Sequence, residues 1–206
     1  MIRVKQRSRN DPERLRLRLR YPRLRMRRWL AVASALITTV AGGVVMLYEF
    51  PPPGDEAGAD LIYVIGPPTQ PRLDEAESIL HSIDGATLLV SVLPPASSRE
   101  YVATKMPICS QERVLCESPK PMTTKGEALM LVDYARTHEV HKVAVITFTP
   151  HVARTRYIFA RCAPDIDVQV IGVDQHLTIG DWIYQFAYQT TAFVKAAATP
   201  CASDDE

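Results

Sequence analysis

Four stretches of the chain are apolar almost without interruption: "DLIYVIG" at 60–66, "ATLLVSV" at 86–92, "KVAVITF" at 142–148 and "VQVIGV" at 168–173. Apolar, β-branched runs that do not alternate with polar residues predict strands covered on both faces. Between them the spacing changes. Leu73, Ala76, Ile79, Leu80 and Ile83 recur at helical intervals in 72–83, and Ala128, Leu131, Val132 and Ala135 do so in 123–139. Two more helical segments cover 150–162 ("PHVARTRYIFARC") and 181–198 ("DWIYQFAYQTTAFVKAAA"). A short strand is predicted at 113–116. This order of strands and helices predicts an α/β domain, a parallel sheet between two helix layers joined by right-handed crossovers.

A fifth apolar stretch is of another kind. "WLAVASALITTVAGGVVMLY" (29–48) contains 19 uncharged residues from Leu30 to Tyr48, about the length that crosses a ~30 Å hydrocarbon layer as a helix. Trp29 and Tyr48 stand at its ends, where amphipathic rings favour the interface. A cleaved signal peptide is the competing reading, but its apolar region would be long and only a poor small-residue site exists near Ala57–Ala59. A signal anchor is therefore expected. Charge then sets the orientation. The net charge of +1 hides twelve basic against two acidic residues in 1–28, about +10, and twelve against 21 in the remainder, about −9. A basic flank holds the N-terminus in the cytoplasm. The expectation is a single-pass plasma-membrane protein: a cytoplasmic Arg-rich arm (1–28), the membrane segment (29–48), a Pro/Gly linker (49–59) and an extracytoplasmic domain (60–206). The arm suits anionic membrane lipid better than nucleic acid. The linker reads as stiff, then flexible.

All four cysteines (Cys109, Cys116, Cys162, Cys201) follow the apolar segment. An even number in an exported domain favours disulfides, and four allow three pairings. Cys109 with Cys116, closing a short loop, and Cys162 with Cys201, pinning the C-terminal tail, is the preferred one. No C-x-x-C pattern occurs, so no metal site is expected.

In open parallel sheets, ligands bind at the carboxyl ends of the strands. Here those ends run into "GPPTQPR", Ser91, "CESPKPMTTKGE" and "TFTPH", so polar groups gather on one rim. His151 and Arg154, three apart at a helix start, share one side of the helix near free N–H groups that suit an anion. Thr124 and Glu127 have the S/T-x-x-E spacing of a capping box, which is a sufficient structural explanation for both. Glu117 after the short strand is a candidate general base if burial raises its pKa; Ser91 and Thr147 lack a nucleophile-elbow pattern. Lys125, Arg156 and Arg161 read as solvated charge, the other histidines as surface, and Trp182, Tyr184 and Phe186 as packing.

Taken together, "LIYVIG", Arg72, "LLVSV", "CESPKPMTTKGEALML" and "VAVITFTPHVARTRYIF" resemble the SanA/ElyC/YdcF-type family of envelope-associated proteins over about residues 60–173. The most specific part is Thr124, Glu127, His151 and Arg154 in order and spacing; Cys116 and Arg161–Cys162 look most like actinobacterial branches. The resemblance implies a Rossmann-like domain displayed by one N-terminal anchor and a part in barrier function or peptidoglycan metabolism. It implies a site in which Arg72, Ser91, Thr124, Glu127, Thr147 and Arg154 bind an anionic envelope metabolite, with His151 and Glu117 as catalytic groups if hydrolysis or transfer occurs. One cytoplasmic branch of the family binds S-adenosylmethionine, so a nucleotide-type cofactor is an alternative. Two departures favour a non-enzymatic scaffold instead: Val92 where the family has Gly after Ser91, and Pro67–Pro68, which remove two N–H donors after Gly66.

Overall fold

The computed structural model describes residues 12–92 and 106–201. Residues 1–11 of the Arg-rich arm and the last five residues of the chain lie outside the described residues. The chain divides into two compact units, residues 1–44 and 45–206.

The described residues of the first unit lie in helix α1 (Pro12–Glu49). Its segment Arg25–Glu49 is long and apolar enough to cross a membrane, and no residue of its most apolar 18-residue window is buried. At 1.5 Å per residue these 25 residues extend about 38 Å.

In the second unit the five strands anticipated by pattern all form: β1 (Leu61–Val64), β2 (Thr87–Ser91), β3 (Val114–Glu117), β4 (Lys142–Phe148) and β5 (Asp167–Val173). Every pairing is parallel and the order is β3-β2-β1-β4-β5. The helices are α2 (Gln70–Ser82), α3 (Thr124–His138), α4 (Val152–Cys162) and α5 (Ile179–Ala198).

Period-two alternation distributes β1 between two cores. Ile62 and Val64 face α2 with Leu73, Ala76 and Leu80, while Leu61 and Tyr63 face Ala128 and Leu131 of α3 and Phe159 of α4. Both faces are dry, which is why the strands read as unbroken apolar runs. Burying a side chain of this size is worth about 1.5–3 kcal/mol, so β1 is pinned in register from both sides. The sequence leaves β1 through α2 toward β2 and β3, then returns through α3 to β4 on the opposite side of β1. That reversal puts a crevice beyond the carboxyl ends of β1 and β4.

Both disulfides take the preferred pairing, Cys109–Cys116 and Cys162–Cys201. The linker does not behave as a free stalk. Arg156 donates to the carbonyls of Pro52 (2.6 Å) and Val170 (3.0 Å), and Lys142 Nζ reaches Asp55 (3.2 Å) and the Ala57 carbonyl (2.7 Å). Arg156 is therefore a clamp rather than the solvated charge that spacing suggested. Arg161 stays exposed, lying over the Tyr157 ring.

Candidate functional site

A cavity of about 860 Å³ opens at the crevice, walled by residues from every element that ends there. Gly66 follows β1, Arg72 lies in the first turn of α2, and Ser91 and Val92 end β2. Thr124 and Glu127 come from the first turn of α3, His151 and Arg154 from the β4–α4 junction, and Tyr184, Gln185, Tyr188 and Gln189 from α5.

The start of α3 sets the position of its carboxylate. Thr123, one residue earlier than the capping-box spacing implied, is the N-cap and accepts from the Gly126 N–H at 3.1 Å. Glu127 is thereby released from capping. It turns inward, and its Oε1 accepts the Gly66 N–H at 2.6 Å. Both glycines permit this approach. A Cβ on Gly126 would sit 1.9 Å from the Pro121 carbonyl oxygen, and one on Gly66 would press on Glu127 Oε1 at 3.3 Å. Burial disfavours the charged carboxylate and pushes the Glu127 pKa up to about 7. The Gly66 N–H, the Ser91 hydroxyl, Arg154 and Arg72 restrain that rise.

His151 is buried in the short 3₁₀ turn Thr149–His151 that joins β4 to α4. Its Nδ1 lies 3.0 Å from Thr147 Oγ1, and its Nε2 lies 3.5 Å from Thr124 Oγ1. Burial, together with the charges of Arg154 and Arg72, holds the imidazole well below its usual pKa and keeps it neutral. Thr147 is fully buried behind this ring and orients it without lining the cavity.

The two arginines are held by neutral groups. Arg154 Nε donates to Gln189 Oε1 at 3.0 Å, and Gln189 donates onward to Gln185 at 3.1 Å. The Arg154 guanidinium also lies over the Tyr188 ring, 5.8 Å from its centroid. Arg72 Nη1 donates to the Pro67 carbonyl at 2.8 Å, and its guanidinium lies 5.2 Å from the Phe148 ring centre. Its Nε is buried with no partner among the described residues, a state that costs about 1–3 kcal/mol until a water or ligand satisfies it. Among the described residues neither arginine forms an ion pair, yet each is close enough to act on both Glu127 and His151. A planar donor fork with no carboxylate partner suits a phosphate or carboxylate.

Of the predicted site residues, Arg72, Ser91, Thr124, Glu127, His151 and Arg154 share this cavity. Glu117 does not. It ends edge strand β3, pairs in register with Ser91, and is exposed outside the cavity lining. The carboxylate that burial raises is Glu127. Lys125 lines the cavity. Tyr184 is exposed along the cavity wall rather than packed in the core. Gln185 and Gln189 were missed; the available signal was two glutamines four residues apart, in phase with Phe186 and Phe193 on the inward face of α5.

Fold and site define an α/β domain with a five-stranded all-parallel sheet, consistent with a Rossmann-like architecture, and a basic cavity at its switch point. Compared with family models, curated proteins and solved structures, the chain finds no match.

Proposed function

We propose that this domain binds a phosphate- or carboxylate-bearing small molecule of the cell envelope, outside a plasma membrane that α1 crosses with its N-terminus in the cytoplasm. The observation that carries the reading is the pair Arg72 and Arg154: two guanidiniums lining one cavity, held by neutral partners, one with an orphaned buried donor. The two disulfides suit an oxidising compartment, and the basic N-terminal flank suits a cytoplasmic end. The motif order shared with SanA/ElyC/YdcF-type proteins supports an envelope ligand.

The wall also has the parts for proton transfer. Glu127, poised near neutrality, gives or takes a proton, and neutral His151, set between the hydroxyls of Thr147 and Thr124, donates or accepts a hydrogen bond. Hydrolysis or transfer of a bound ester is the reaction class that this pair fits. A scaffold with a closed pocket is the weaker reading, because Val92 is buried in the wall and the cavity stays open beside it.

The test is thermal stability of the protein with inorganic phosphate, pyrophosphate, a nucleotide-diphosphate sugar, a polyprenyl phosphate and S-adenosylmethionine. A ligand at a hundred times its dissociation constant stabilises by about 2.7 kcal/mol, and Arg72→Ala with Arg154→Ala removes that gain. The proposal fails if no anion stabilises, or if the double variant responds like the wild type.

A further inference from the structure

Helix α5 has three faces. The inward one packs on the domain through Gln189 and Phe193, and the cavity face carries Tyr188. The third is an exposed apolar stripe: Ile179, Ile183 and Val194 are 83%, 66% and 65% exposed, with Ala187 and Thr190 between them. At 100° per residue the stripe is turned about 140° from Tyr188. Asp181 and Lys195 are the only charged residues in the helix, and the same geometry places both off the stripe. A solvated helix face normally carries charge. This one does not.

The structure shows what adjoins it. Tyr48, the final residue of the apolar segment of α1, places its hydroxyl 3.3 Å from Thr190 Oγ1, and its ring packs on Phe186 at 6.3 Å. The apolar segment of α1 thus ends against the stripe at Thr190, and exposed Leu47 and Phe50 flank that contact. Trp182 packs on the same Phe186 ring as Tyr48, with centroids 5.3 Å apart, and Tyr and Trp are the residues favoured at a membrane–water interface.

We propose that the apolar stripe of α5 is a membrane-docking surface, seated in the outer interface of the bilayer that α1 enters. The inference rests on the reading of α1 as a span. Apolar helix faces of this kind lie about 5–10 Å into the headgroup boundary. One helix then touches lipid with one face and walls the cavity with another, so ligands carried at headgroup level reach the arginines without crossing bulk water.

The sequence contains two tryptophans, Trp29 and Trp182, which makes quenching by brominated acyl chains a direct test on the full chain in phosphatidylcholine vesicles. Trp182→Phe leaves Trp29 as the reporter of the span. Trp29→Phe with Trp182→Phe and Ile183→Trp reports the stripe, and the same background with Glu75→Trp, an exposed site on α2, reports a surface facing water. The expected result is quenching of the Ile183→Trp reporter close to that of Trp29 and several-fold above that of the Glu75→Trp reporter. Quenching of Trp29 alone overturns the docking surface and leaves the span standing; quenching of neither overturns both. A blue-shifted, unquenched Ile183→Trp signal that depends on protein density assigns the stripe to a second copy and overturns the inference. Should Trp182→Phe fail to fold, the increment in quenching on adding Ile183→Trp to the chain that retains Trp182 decides the same question.

Discussion

Glu127 and His151 are both buried within reach of the charges of Arg72 and Arg154, and burial drives their pKa values in opposite directions. Their contributions to stability should therefore oppose each other with pH in the wild type, and removing either should expose the other. For Glu127 the folded pKa is about 7 against an ordinary 4.5. Its contribution is fully present below about pH 4.5 and is lost as pH rises toward 7. At about 1.4 kcal/mol per pH unit that is about 3 kcal/mol. For His151 the folded pKa is depressed from 6.5. Its contribution is present above about pH 6.5 and is lost, at the same slope, as pH falls. Between about pH 4.5 and 6.5 the slopes oppose each other. Asp55, Asp60 and Asp181 are held below their ordinary 3.8 and titrate outside this window. Urea denaturation of residues 45–206 across the window measures the effect. Glu127→Gln, which keeps an acceptor for the Gly66 N–H, should lose stability as pH falls below about 6.5. His151→Gln should lose stability as pH rises from about 4.5 to 7. The reasoning is refuted if Glu127→Gln and wild type give parallel profiles, because a carboxyl that titrates normally adds no difference between them.

Gly126→Ala should destabilise by a few kcal/mol, although Gly to Ala in a helix ordinarily stabilises by about 1 kcal/mol. The new Cβ would meet the Pro121 carbonyl at 1.9 Å, and a lowered melting temperature checks the sign. Loop-closure entropy ranks the disulfides. Replacing Cys162 and Cys201 by Ser opens a separation of 39 residues and should cost about 4 kcal/mol, against about 2.5 kcal/mol for the seven-residue separation of Cys109 and Cys116. Equal losses in urea denaturation would contradict that ranking.

Strands β1, β2 and β4 were legible because they are covered on both faces, so Leu61–Val64 and Val143–Ile146 carry an apolar residue at every position. Arg72, His151 and Arg154 were legible because they begin helices next to strand ends. The errors have local causes. Two adjacent threonines both fit a cap, and the tight contact of Gly126 with Pro121 selects Thr123, which frees Glu127 for the cavity. Glu117, read as a candidate general base, ends edge strand β3 and is exposed, a position the local sequence does not reveal. The linker's docking uses main-chain carbonyls of Pro52 and Ala57, which leave no pattern to read. The role of α5 was hidden because its polar contacts arise from glutamines within an aromatic stripe.

The central claim is that Arg72 and Arg154 hold one anion at the carboxyl edge of β1 and β4. Tungstate, a tetrahedral dianion with strong anomalous scattering, tests it in crystals of residues 45–206. The account predicts a peak bounded by both guanidiniums that disappears in the Arg72→Ala, Arg154→Ala variant. A cavity without a peak, or a peak that persists in the variant, contradicts it.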